Sequence, residues 1–259
     1  MNSPALKRRT LLGFLSIGLA ASPSRIAQAF GEEGAFNPRI LLTGTARFEG
    51  VRSTAPARWS RELVQRTSAP ARLSPPTLRA DDPSLLAEPF AYWGGDADIA
   101  PLTEREVLNM RRFITLGGIL LVDDFAPSES TFVRAAKREL SRVLPEGSSI
   151  AIGTENVVFK SFYLLRRAVG RVEGPPKLEA IVRGGLPQVI FSVHDLSGAL
   201  ARSPNGEHPV AVTPGGDAQR EMAIRLAVNI AMYVLCSNYK DDQVHAEHIM
   251  KRRRMRDVP

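Results

Sequence analysis

The chain has 259 residues, 44% of them apolar and 24% charged, which suits one large globular domain or two small ones and excludes a low-complexity or disordered chain. Its formal charge of +7 sits at the ends: the first 29 residues contribute +4 and the last nine +4, leaving about −1 on the body. A folded nucleic-acid binder needs a basic face on its body, so nucleic acid is not an expected partner. One cysteine, Cys236, excludes an internal disulfide and reads as a packing residue.

Residues 1–29 read as a twin-arginine export signal. Lys7-Arg8-Arg9-Thr10-Leu11-Leu12-Gly13 opens it, the apolar run Phe14–Ala21 follows, and Ala27-Gln28-Ala29 has the small residues of a cleavage site after Ala29. The apolar run is well short of the ~20 residues of a spanning helix. The expected location is therefore periplasmic. Residues 30–37 read as a linker, 38–250 as a single α/β domain and 251–259 as a basic disordered tail. That tail is suited to weak contact with anionic headgroups.

Pro38–Gly44 is a continuous apolar run ending in Thr and Gly, the pattern of a parallel strand covered on both faces. A loop then leads to a helix predicted from Trp59 to Thr67, a strand near Thr77–Ala80 and a short strand Phe90–Gly95. Thr103 stands three residues before Glu106, a capping box, and Leu102 with Val107 forms a hydrophobic staple. The next helix buries Val107, Met110, Phe113 and Ile114 and stops at Gly117-Gly118. Gly118–Asp124 is the second clear strand, succeeded by a helix Ser130–Val143. Phe162–Arg166 is a candidate helix, and Leu178–Val182 with Gln188–Val193 forms a hairpin about Gly184-Gly185. Strand–helix alternation predicts an α/β fold with a mainly parallel sheet and a hairpin-containing edge.

The last helix begins after Pro214-Gly215-Gly216. Its apolar run is interrupted at every fourth residue by Glu221, Arg225, Asn229 and Tyr233, one polar stripe that reads as a structural ladder. His245 and His248 have a spacing that fits zinc only loosely and no cysteine supports them, so the segment reads as a capped surface turn.

Open α/β sheets bind ligands beyond the carboxyl ends of their strands. Those ends carry Gly44, Asp82, Asp123, Asp124, His194 and Asp195, carboxylates and an imidazole beside glycines, and these are the candidate ligand-binding residues. No Gly-x-Ser-x-Gly elbow or phosphate-binding glycine loop is present, so no catalytic residue is assigned. The pattern specifies neither a metal nor a cofactor.

The chain resembles the bacterial family called domain of unknown function 4159. The resemblance is carried by Pro38–Leu42, Glu62-Leu63 with Arg66-Thr67-Ser68, Pro101–Val107, Arg111-Arg112-Phe113 and Gly117–Asp124, and further on by Ser161–Arg166, Asp195–Gly198 and Pro214–His245. It covers about residues 36–254. The family pattern has Asn where this chain has His194. The resemblance implies a class I glutamine amidotransferase-like fold and an envelope role, and transfers no catalytic residues. The expectation is an exported, non-catalytic module that binds an envelope protein or a small polar ligand. The alternative is a metal-assisted or carboxylate-dependent hydrolase working at the strand ends with Asp124, Asp195 and, as a further candidate, His194.

Overall fold

The computed structural model describes residues 34–256, with side chains through 237. The export signal, the cleavage site and the side chains of His245, His248 and the basic tail lie outside the described residues. Seven strands form one sheet in the order β2-β1-β3-β4-β7-β6-β5. They are β1 Arg39–Leu42, β2 Thr77–Arg79, β3 Phe90–Gly95, β4 Ile119–Asp124, β5 Ser149–Ile152, β6 Leu178–Arg183 and β7 Leu186–Ser192. The pairs β1–β2, β1–β3, β3–β4 and β4–β7 are parallel, whereas β6 and β5 add an antiparallel edge. The fold is thus α/β with a mixed, mostly parallel sheet.

Among the described residues five α-helices flank it: α1 Ala55–Thr67, α2 Glu104–Thr115, α3 Thr131–Val143, α4 Leu196–Leu200 and α5 Gly216–Arg256. Alternation along the strands divides the core into two layers. Ile40, Phe90, Tyr92, Leu121 and Ile190 face α1, α4 and α5 with Trp59, Leu63, Ala199 and Ala227. Leu41, Trp93, Leu120, Val122 and Phe191 face α2 and α3 with Met110, Phe113, Phe132 and Leu140. Both faces being covered explains why β4 is buried at every position.

Local signals set the element ends. The capping box forms in full: Thr103 Oγ1 accepts from the Glu106 N–H at 3.3 Å, and Glu106 Oε2 accepts from the Thr103 N–H at 2.8 Å. The polar stripe of α5 is met entirely by this chain. Glu221 takes Arg66 at 2.9 and 2.8 Å and Arg225 at 2.8 Å. The Asn229 side chain clasps both peptide groups of Tyr163 at 2.7 and 2.8 Å, and the Tyr233 hydroxyl donates to the Pro187 carbonyl at 2.9 Å.

Several expectations are corrected. Phe162–Arg166 is irregular, because its Tyr163 peptide groups bond to Asn229 on α5 instead of to local helical partners. Helix α1 starts at Ala55 after a 3-10 turn at Val51–Thr54; Pro56 in its first turn presets the helical φ. The segment around His245 is part of α5, not a turn, and residues 251–256 of the tail expected to be disordered continue the same helix. Cys236 is exposed, not packed. Phe36 belongs to the core at 1% exposure and bonds through its backbone to Pro70 and Arg72, so the fold begins before Pro38.

Arg39 shows how a charge is held inside. It is 3% exposed, and its guanidinium donates to the carbonyls of Phe90, Ser84, Leu85 and Glu88 at 2.6–3.1 Å. Burial lowers its pKa from the usual arginine value, against the opposing charge of Glu88. Arg39→Met keeps the apolar stem but leaves several carbonyls without a donor. It is expected to cost about 2–4 kcal/mol in urea denaturation.

Candidate functional site

Strand direction decides which predicted residues meet. Successive side chains on β4 point to opposite faces, so Asp123 enters the layer of Tyr92, α4 and α5 while Asp124 enters the layer of α3. Asp124 is consumed there, accepting the Ala126 N–H at 2.9 Å and the Val133 N–H at 3.0 Å. The two adjacent aspartates do not form one site.

Asp123 and Asp195 do. Asp123 is fully buried and accepts the Tyr92 hydroxyl at 2.9 Å, the Leu196 N–H at 3.1 Å and the Ser197 N–H at 3.0 Å. Burial and then the neighbouring Asp195 push its carboxyl up to about 7, against the pull of those three donors. Burial, reinforced by Asp123, also raises the Tyr92 phenol well above its ordinary value.

Asp195 stands at the turn from β7 into α4 with φ 51°, ψ 63°, a left-handed conformation that Asp tolerates better than most residues. It caps α4 through the Gly198 N–H at 2.8 Å and takes the Ser197 hydroxyl at 3.2 Å. Two arginines close on it. Arg52 reaches its two oxygens through Nε at 2.9 Å and Nη2 at 2.6 Å, and Arg171 donates from Nε to Oδ2. The Arg52 guanidinium lies 5.0 Å over the Phe125 ring, and the pairing with Asp195 raises its pKa further. Phe48, on the loop between β1 and the 3-10 turn, sets its ring 6.1 Å from both Tyr92 and Phe125.

The other predicted residues serve elsewhere. The Gly44 N–H donates to Glu106 Oε1 at 2.8 Å, tying the start of the 44–50 loop to α2. Asp82 caps the 3-10 turn Pro83–Ala87 by accepting the Ser84 N–H at 2.7 Å, and that bond lowers its pKa. His194 is fully buried against Gly170 and Gly174, and its Nε2 meets the Pro175 carbonyl at 3.0 Å. Burial pushes its pKa down, and because a carbonyl can only accept, the contact with Pro175 needs the proton on Nε2. A Cβ on Gly170 would overlap the His194 carbonyl, so this loop packs backbone to backbone and carries Arg171 to Asp195.

Sequence reasoning missed Arg52, Tyr92, Arg171 and Ser197. Tyr92 carried a readable signal: it lies on a strand of fixed alternation, in register with Leu121 and two residues before the first of the strand's closing glycines. Arg52 lies in the 3-10 turn and Arg171 in an irregular segment, 143 and 24 residues from Asp195, and neither carried one.

Among the described residues no group of three His, Cys, Asp or Glu side chains could hold a metal ion. No described helix is long and apolar enough to cross a membrane. A cavity of about 790 Å³ opens at the amino ends of the strands, lined by Leu86, Phe113, Leu116, Leu186, Tyr233 and Val234. It lies at the opposite end of the sheet from the carboxylates. The carboxyl-end cluster remains the better candidate because buried charge and aromatic rings converge there.

Fold and site together define an α/β domain with a buried, charge-compensated carboxylate cluster at the carboxyl ends of β3, β4 and β7. Residues 40–235 match the family described as "Domain of unknown function (DUF4159)", and the chain belongs to that family. No curated protein matches it.

Proposed function

We propose that this chain is an exported, non-catalytic binding domain of the cell envelope, related in fold to class I glutamine amidotransferases. It takes a small polar ligand or an envelope protein at the carboxyl-end crevice. One observation carries this reading: the carboxylates that would do chemistry there, Asp123 and Asp195, are fully buried and bonded to the chain's own donors. A general base or nucleophile has to reach a substrate atom, directly or through one water. These groups instead hold Tyr92, α4 and two arginines in place. The basic run Lys251–Arg254 adds weak attraction to anionic headgroups, about 1 kcal/mol per cation near the surface.

A carboxylate-dependent hydrolase is the second reading, favoured by Asp123, whose carboxyl is pushed up to about 7 as general acids often are. A thermal-shift screen against metals, nucleotides and cell-wall fragments separates the two. The binding reading expects a stabilising compound to be recovered unchanged by mass spectrometry after long incubation. Conversion of that compound by wild type, lost in Asp123→Asn, would establish the hydrolase. Export has its own test. Replacing Arg8-Arg9 with Lys-Lys should leave the precursor in the cytoplasm on cell fractionation, and undiminished export would reject the twin-arginine route.

A further inference from the structure

We propose that the carboxyl-end crevice recognises a guanidinium group, and that Arg52 fills it as an internal stand-in carried on a flap. This rests on the binding reading above and gives it a ligand class.

The surroundings of Arg52 have the three parts of a guanidinium site. A buried carboxylate receives its planar fork, with Nε and Nη2 on the two Asp195 oxygens at 2.9 and 2.6 Å. An aromatic face lies beneath it, the Phe125 ring at 5.0 Å. The Phe125 carbonyl lies at 3.5 Å from Nη2. Lysine, a point charge without the fork, does not match this set.

The two arginines on Asp195 are held differently. Arg171 is fixed by its own backbone: its carbonyl accepts the Thr213 N–H at 2.9 Å and the Gln219 side chain at 3.1 Å. Arg52 comes from a 3-10 turn with no buried residue, at the end of an exposed loop. That loop is bounded by Gly44 at φ 52° and Gly50 at φ 76°, both with open space around them. Glycines in this region can change φ and ψ at little cost, so the 44–52 segment can swing from the crevice. Besides the Arg52 pair, the segment is held at its start by the Gly44 N–H on Glu106, in its middle by the Phe48 ring beside Tyr92 and Phe125, and at its far end by the Arg202 N–H on Thr54 Oγ1 at 3.1 Å, contacts that opening has to release.

A separate observation indicates unused binding capacity. Ser192 pairs in register with Asp123, so its side chain lies on the same sheet face. Its hydroxyl is fully buried and has no hydrogen-bond partner. Withdrawal of Arg52 would leave Asp195 with Arg171 as its one guanidinium partner, with Asp123 and Tyr92 beside it. A free guanidinium compound and an arginine side chain of another envelope protein share the chemistry that would fill it.

The test uses the full chain and methylguanidinium chloride at low millimolar concentration, with urea as a neutral isostere. Arg52→Ala should melt about 6–20 °C below wild type, since it leaves a buried carboxylate short of a partner. Methylguanidinium should restore about 3–6 °C of this, saturably, while urea restores none. The double variant Arg52→Ala/Asp195→Asn should show no restoration. If Arg52→Ala does not fold, Arg52→Gln replaces it. In wild type the same ligand should accelerate Glu-C cleavage after Glu49 severalfold and saturably, because the flap is displaced. Agmatine and a peptide with an internal arginine, compared in that assay, distinguish a small-molecule source from a protein one.

Absence of saturable restoration overturns the proposal. So does restoration in Arg52→Ala with unchanged cleavage of wild type, which would make Arg52 a permanent latch. A screen ligand that lacks a guanidinium and is recovered unchanged would preserve the binding reading while this proposal fails.

Discussion

Asp195→Ala is expected to destabilise the fold by about 3–5 kcal/mol and to lower its melting temperature by about 6–20 °C. The carboxylate is fully buried and ties four segments together: the 44–54 loop through Arg52, the 170–175 loop through Arg171, the end of β7, and α4 through the Gly198 N–H. Its removal leaves two guanidiniums, each about one-fifth exposed, without their counter-charge, and an α4 amide without its cap. Alanine also tolerates the left-handed backbone at this position less well than Asp. Thermal melts and urea denaturation read the effect. A loss below about 1 kcal/mol would place Asp195 among ordinary surface pairs and dissolve the cluster as an organising element.

The second large effect is on pH dependence. Burial and Asp195 push Asp123 up to about 7 in the fold, whereas an unfolded aspartate ionises near 3.9. Between those values the folded chain holds a proton that the unfolded chain has released. The stability attributable to this group is therefore full below about pH 4 and is lost as pH rises through about 7. The stability difference between wild type and Asp123→Asn should decline across that window, at no more than about 1.4 kcal/mol per pH unit, and flatten above it.

Glu221 acts with the opposite sign. Arg66 and then Arg225 hold it down to about 2, so its contribution is present above about 4.5 and fades as pH falls toward 2. Its window lies below that of Asp123, and the difference curve separates the two. A flat curve between pH 4 and 7 would mean that the three donors on Asp123 outweigh its burial.

Much of the frame was readable because each signal was local. The run ending in Asp123-Asp124, the Thr103–Glu106 box and the Gly184-Gly185 turn all specify structure within a few residues. The four-residue stripe of α5 was readable as a ladder, though its partners Arg66, Tyr163 and Pro187 were not. Strand β5 escaped notice because its middle residues Ile150 and Ala151 are exposed at a sheet edge, so it shows no buried run.

The candidate residues split for a physical reason. Aspartate after a strand most often caps the adjoining turn or helix, and Asp82 and Asp124 do that. Period-two alternation already separated Asp123 from Asp124. The parallel pairing of β4 with β7 brings Asp123 and Asp195 into one cluster, and the groups that neutralise them come from loops distant in sequence. No local pattern encodes either fact.

A double-mutant cycle between Arg52 and Asp195, measured by urea denaturation at pH 7 with Arg52→Ala, Asp195→Asn and the double variant, is the decisive test of the closed crevice. A bidentate pair on a fully buried carboxylate predicts a coupling energy of about 2–3 kcal/mol. A coupling below about 0.5 kcal/mol, the level of independent sites, would mean that Arg52 does not close on Asp195 in solution and that the crevice is not held shut by this pair.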